Sequence, residues 1–180
     1  MKELLAEYRS VVEEFHPELA AAFCPGLSRD EIVEKLELTL HFPVSDDAIE
    51  LYSWADGMDP GKCEPHVIPI SFFMPLQSAI DLFEIQRGLA GNFPEKYEDS
   101  FQFLSDGSDG GYGFGSIDEP CNGRIIRFNI HDDRTVGYNS LGDLFETAIE
   151  AYKTGLLEDG EWCIEGFADL VEERFPDLTA

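Results

Sequence analysis

The chain has 180 residues, 43% of them hydrophobic and 12% aromatic, with 14 phenylalanines. That is enough apolar material for one domain that folds without staples, and too much for a disordered acidic segment. Twelve Lys and Arg stand against 37 Asp and Glu, a formal net charge of −25 at pH 7; such a field repels nucleic-acid phosphates and anionic membrane surfaces, and speeds encounter with basic proteins.

Leu4, Leu5, Tyr8, Val11, Val12, Phe15 and Leu19 recur at helical spacing and predict an N-terminal helical segment over 3–23. Pro17 should end the first helix near Phe15 and open a second short turn, and Pro25-Gly26 reads as a loop. Ser28-Arg29-Asp30-Glu31 is a capping box, with Ile32, Val33 and Leu36 on the buried face behind it. His41-Phe42-Pro43 resets the chain, and Ser45-Asp46-Asp47 caps a further helix that Gly57 is expected to stop.

Residues 58–65 read as a loop, and 66–70 and 71–76 as strands whose prolines suggest an edge or a bulge. Ser78 is the expected cap of a helix running to about Gly88, followed by an irregular connection over 88–100. Three strands then follow, at 101–104, 112–117 and 124–130, with a brief fourth from Thr135 to Tyr138. The short glycine- and asparagine-bearing turns between them predict an antiparallel meander. Ser140 caps a long helix stopping at Gly155, and Trp162, Ile164, Phe167, Leu170, Val171 and Phe175 mark a last one bounded by Pro176. Helices, a strand block, then helices predict an α+β fold, an antiparallel sheet of four to six strands flanked by helices.

The segment from Phe42-Pro43-Val44 through Leu51-Tyr52 to Gly57 resembles the proline, helix, leucine-tyrosine and glycine progression of the SUKH superfamily. This is the group that includes the Smi/Knr type of cell-wall assembly regulator. Residues 68–76, 101–130 and 140–152 are similar to that family's strand pair, glycine-turn meander and C-terminal helix. The resemblance covers most of 28–155 and departs at the long 88–100 connection and the acidic extension over 156–180. It implies a single 1–180 binding domain. Many bacterial members are similar to immunity proteins, which bind and neutralise toxin domains, and fungal members look like scaffolds in cell-wall signalling.

The candidate chemistry fails at named positions. Asp106-Gly107-Ser108-Asp109-Gly110-Gly111 has the glycine of a calcium loop at its sixth place, but Ile117 stands where the bidentate glutamate belongs. Gly111-Tyr112-Gly113-Phe114-Gly115 lacks the Lys and Ser/Thr of a phosphate loop and suits a strand with close backbone approach. His131-Asp132-Asp133 lacks further metal ligands on neighbouring helices, and no Gly-x-Ser-x-Gly elbow occurs. Cys24, Cys63, Cys121 and Cys163 form no C-x-x-C pair and read as reduced thiols of a cytoplasmic protein. The N-terminus, with Glu3 and Glu7, has no apolar leader core, and no run approaches membrane-spanning length.

The expectation is therefore a non-catalytic module without cofactor or metal. Its partner would be a basic protein, a toxin domain being the candidate, rather than nucleic acid or membrane. Asp106, Asp109, Asp118, Glu119 and Trp54 are the candidate partner-binding residues. For Trp54 and Tyr52, core packing is the competing role, favoured for at least one of them. The acids from Glu158 to Asp177, opposed only by Arg174, form either a solvated face or a docking surface. A regulatory scaffold and an enzyme with an unfamiliar site are the alternatives.

Overall fold

The computed structural model describes residues 1–59, 61–62, 67–69, 71–90, 100–107, 110–115, 123–129, 135–158 and 161–178. Helix α1 (Lys2–Phe15) buries Leu5, Tyr8, Val11 and Val12, the stripe expected from the sequence. It breaks at His16, and Pro17 opens α2 (Pro17–Ala20) from its first helical position, where its missing N–H costs nothing. Pro25 does not simply sit in a loop: it ends β1 (Phe23–Pro25), which pairs antiparallel with β2 (Ala55–Met58). A proline is tolerated there because the ribbon has only two strands and its outer edge needs no donor.

The serine caps expected of α3 (Arg29–Thr39) and α4 (Asp46–Trp54) are present, while the return bond from Glu31 that completes a capping box is not made among the described residues. Ser28 Oγ accepts from the Glu31 amide at 3.3 Å, and Ser45 Oγ from the Asp47 amide at 3.2 Å. The Glu31 carboxylate pairs with Lys35 at 3.2 Å, one turn along the same helix. The expected stop at Gly57 is displaced. Helix α4 ends at Trp54, and Gly57 lies inside β2 with φ +73°, where a Cβ would come within 2.2 Å of the Pro75 nitrogen. Glycine is needed there for a backbone crossing and not as a helix stop.

The two strands expected over 66–76 reduce to β3 (Phe72–Phe73) and a single bridge between Ile68 and Ser71; His66 and Ile70 lie outside the described residues. Helix α5 (Leu76–Ala90) starts two residues before Ser78 and runs past Gly88. Its leading amide, Leu76 N–H, donates to Asp56 Oδ1 at 2.7 Å, so its terminal donor is satisfied from 20 residues upstream. Of the 88–100 connection, residues 91–99 lie outside the described ones.

Strands β4 (Ser100–Ser105), β5 (Gly110–Gly115), β6 (Ile125–Asn129) and β7 (Thr135–Tyr138) form the expected meander. With β3 they make a five-stranded antiparallel sheet in the order β3-β4-β5-β6-β7. The register of β4 on β5 shifts between Gln102 and Leu104. There the buried Gln102 amide donates to the carbonyls of Leu104 (3.0 Å) and Gly110 (2.9 Å) and accepts from Gln86 of α5 (3.0 Å). Gly111 makes room for it: a Cβ there would stand 2.0 Å from the Leu104 carbonyl oxygen and 2.3 Å from the Gln102 nitrogen. The close approach expected of this glycine run is present.

Ser140 Oγ accepts from the Asp143 amide at 3.1 Å and starts α6 (Leu141–Lys153), which packs along α1. A two-stranded ribbon, β8 (Leu157–Glu158) with β9 (Glu161–Trp162), precedes α7 (Ile164–Arg174), so Trp162 lies in a strand and not in the last helix. The fold is α+β, with seven helices around the sheet among the described residues. None of those helices is long and apolar enough to cross a membrane.

The core is aromatic where α1, α4 and α6 meet. The Tyr8 ring, fully buried, meets Phe145 edge-on at 4.9 Å and also touches Phe23, Trp54 and Tyr152. Its hydroxyl donates to the Val67 carbonyl at 3.2 Å, which ties the first helix to the loop before the sheet. Burial raises the Tyr8 hydroxyl well above the ordinary tyrosine pKa of 10.0, and Tyr152 beside it pushes the same way.

Candidate functional site

Two of the five residues singled out from the sequence fall within the described structure. Trp54 is half-buried at the end of α4: its ring lies 4.8 Å from Phe23 and stacks on Phe73 at 6.5 Å. The Arg9 guanidinium sits 5.1 Å over it and 5.3 Å over Phe23. Tyr52 is wholly inside, against Phe73 and Phe101. Asp106 is half-buried and closes the β4–β5 turn; its carboxylate accepts from the Gly110 amide, and its own amide donates to the Gly110 carbonyl, both at 3.1 Å. Asp109, Asp118 and Glu119 lie outside the described residues, as do His131, Asp132, Asp133, Cys63 and Cys121. Among the described residues no three His, Cys, Asp or Glu side chains gather as a metal site would require.

The concavity that sequence reasoning missed lies between the β5–β7 end of the sheet and α7. It encloses about 300 Å³. Tyr112, Val136 and Tyr138 form its sheet wall, and Ile164, Phe167, Ala168 and Val171 its helix wall. Those four helix residues stand at i, i+3, i+4 and i+7, one continuous apolar stripe. The signal was therefore present, but the same spacing describes any helix packed on a core. Only the separation of the two walls distinguishes this one. Ile164 keeps 54% of its surface exposed, a large apolar side chain at the open mouth.

Gly137 of β7 allows the sheet wall to form. A Cβ there would stand 2.9 Å from the Tyr112 ring, which packs tilted against Tyr138 at 5.7 Å. Arg127, opposite Tyr112 in the β5–β6 register, is exposed at the rim. Burial raises the Tyr112 and Tyr138 hydroxyl pKa values above 10.0, while the Arg127 charge pulls both back. Among the described residues no carboxylate lines this concavity or pairs with Arg127.

Arg174 pins α7 in place. Its guanidinium binds Glu150 and, at 3.0 Å, Glu146 of α6, and it lies 5.6 Å over the Phe175 ring, which packs edge-on to Tyr138. The opposite face of α7 carries Glu165, Asp169, Glu172 and Glu173, all exposed and in no ion pair among the described residues. Glu165 and Asp169, and Asp169 and Glu173, are four apart on one face, so each pair costs the helix ~0.2–0.5 kcal/mol.

No family model matches this chain, and no curated protein matches it.

Proposed function

We propose that this chain is a non-catalytic, cytoplasmic protein-binding module of the immunity type, which neutralises a cationic toxin domain by covering its substrate face. The observation that carries this reading is the outer face of α7, whose four carboxylates form no ion pair among the described residues and stand on a chain of net charge −25. Like charges held one turn apart are a standing cost, and a cationic partner would relieve it on binding. A nuclease-like toxin presents such a partner surface, because it must itself attract phosphates. The resemblance of 28–155 to the SUKH superfamily supports the same class of function.

The test is retention of partners on the immobilised protein at low salt and at about 1 M salt, where the Debye length is ~3 Å. A basic protein held at low salt and released at high salt is expected, and its toxicity should fall as this chain is added. The Glu172→Lys/Glu173→Lys variant should lose that protein. No basic protein held at low salt would overturn the reading. A basic partner held equally by the double variant would move the interface away from α7.

A further inference from the structure

The groove between the sheet and α7 has a chemistry opposite to the rest of the surface. Acids outnumber bases 37 to 12 in the chain, yet the groove is walled by apolar and tyrosyl side chains with a guanidinium at its rim. An exposed arginine in so acidic a protein meets an excess of carboxylates, and Arg174 of the same helix wall's C-terminal end is held by two of them. Arg127 is held by none among the described residues, and the Tyr112 and Tyr138 hydroxyls stand in its field. It is therefore available to an incoming anion.

We propose that this groove binds a small apolar monocarboxylate, its chain between Val136 and the Ile164–Val171 stripe and its carboxylate on the Arg127 guanidinium. Three physical arguments select that ligand. A volume of about 300 Å³ is at the small end of ligand pockets, whereas a protein segment docks by burying ~800 Å² on each partner. The planar guanidinium offers two parallel donors to a carboxylate, and the neighbouring Thr135 and Tyr112 hydroxyls add neutral donors. The field of −25 penalises each further negative charge, so a monoanion is favoured over a phosphate dianion. The site stands apart from the outer face of α7, so its fate is separate from that of the partner-binding reading.

The experiment is titration of the full chain with octanoate and with octanol, read by calorimetry and by amide NMR shifts. Octanoate should bind with shifts centred on Tyr112, Val136 and Ala168, and octanol about tenfold more weakly or worse, since a charge-assisted pair is lost. Arg127→Gln should bring octanoate down to the octanol level while leaving octanol unchanged, and Arg127→Lys should restore part of the difference. Ala168→Phe, which fills the groove from the helix side, should abolish both. Equal binding of acid and alcohol, indifference to Arg127→Gln, shifts centred elsewhere, or no octanoate binding up to its solubility would each overturn the proposal.

Discussion

Arg9 and Arg127 both lie among aromatic rings, and the two neighbourhoods differ in whether the space between the rings is filled. Around Arg9 the rings of Tyr8, Phe23, Trp54 and Phe145 stand 4.8–6.2 Å apart, and the guanidinium lies over two of them. Around Arg127, Tyr112 and Tyr138 line one wall and Phe167 the other, with about 300 Å³ between. Similar residue types thus build a closed core in one place and a receptive groove in the other. The difference comes from what clamps each wall. Helix α1 is held along its length by α6, whereas α7 is held at its C-terminal end by Arg174 and at its start by the β8–β9 ribbon. Interiors close to crystal-like density where nothing holds the walls apart.

The comparison breaks most visibly at Tyr8. Tyr8→Ala removes a wholly buried ring and leaves the Val67 carbonyl without its donor. A loss of ~3–5 kcal/mol is expected, read from the denaturant midpoint at constant m-value. Ala168→Phe enlarges a side chain of the groove by nearly as many atoms and should cost under ~1 kcal/mol, because it enters open space. Equal losses would mean that the groove is already packed.

A smaller effect separates two buried phenols. The Tyr8 hydroxyl has an acceptor, whereas the Tyr52 hydroxyl is buried with none among the described residues. Tyr8→Phe should therefore cost ~1 kcal/mol at pH 7, and Tyr52→Phe should be neutral or stabilising. Both hydroxyls are raised well above 10.0, chiefly by burial, and Tyr52 further by the nearby Asp56 charge. The folded state thus holds these protons after the unfolded chain has released them. Stability should be flat below about pH 10 and fall as pH rises further, with a shallower fall in either Phe variant. Circular dichroism melts from pH 8 to 12 give the profile; a fall of equal slope in all three proteins would contradict the assignment.

The smallest contrast is between the arginines themselves. Arg9→Gln removes a cation from above two rings and should cost about 1 kcal/mol. Arg127→Gln removes an exposed side chain without an ion pair among the described residues and should stay within ~0.5 kcal/mol of the parent. Thermal melts of the pair measure both; a larger loss for Arg127→Gln would give it a structural role.

What could be read in the sequence follows the range of the interaction involved. Ser28, Ser45 and Ser140 each cap a helix two or three residues away, and Pro17 acts at its own backbone angle, so those boundaries stand. The meander was legible because its strands are consecutive in the chain and separated by turn-forming residues. The start of α5 was not, because its donor is satisfied by Asp56 and not by Ser78. Gly57 was assigned the wrong duty for the same reason: Pro75, which it must admit, is remote in the chain.

The candidate sites divide along the same line. The acidic face of α7 follows from the order of residues 165–173, since a helical period alone puts those carboxylates on the side away from Phe167. The charge, the caps of α3, α4 and α6 and the antiparallel strand block were likewise determined by sequence alone, each being set by composition or by residues near in the chain. The groove was not. Its apolar stripe is indistinguishable in sequence from a packed one, and an arginine in a strand says nothing of what it faces. Only the tertiary structure decided that Arg127 stands at the rim of an unfilled space, because that depends on how far α7 is held from β7 by its contacts with α6 and with the β8–β9 ribbon.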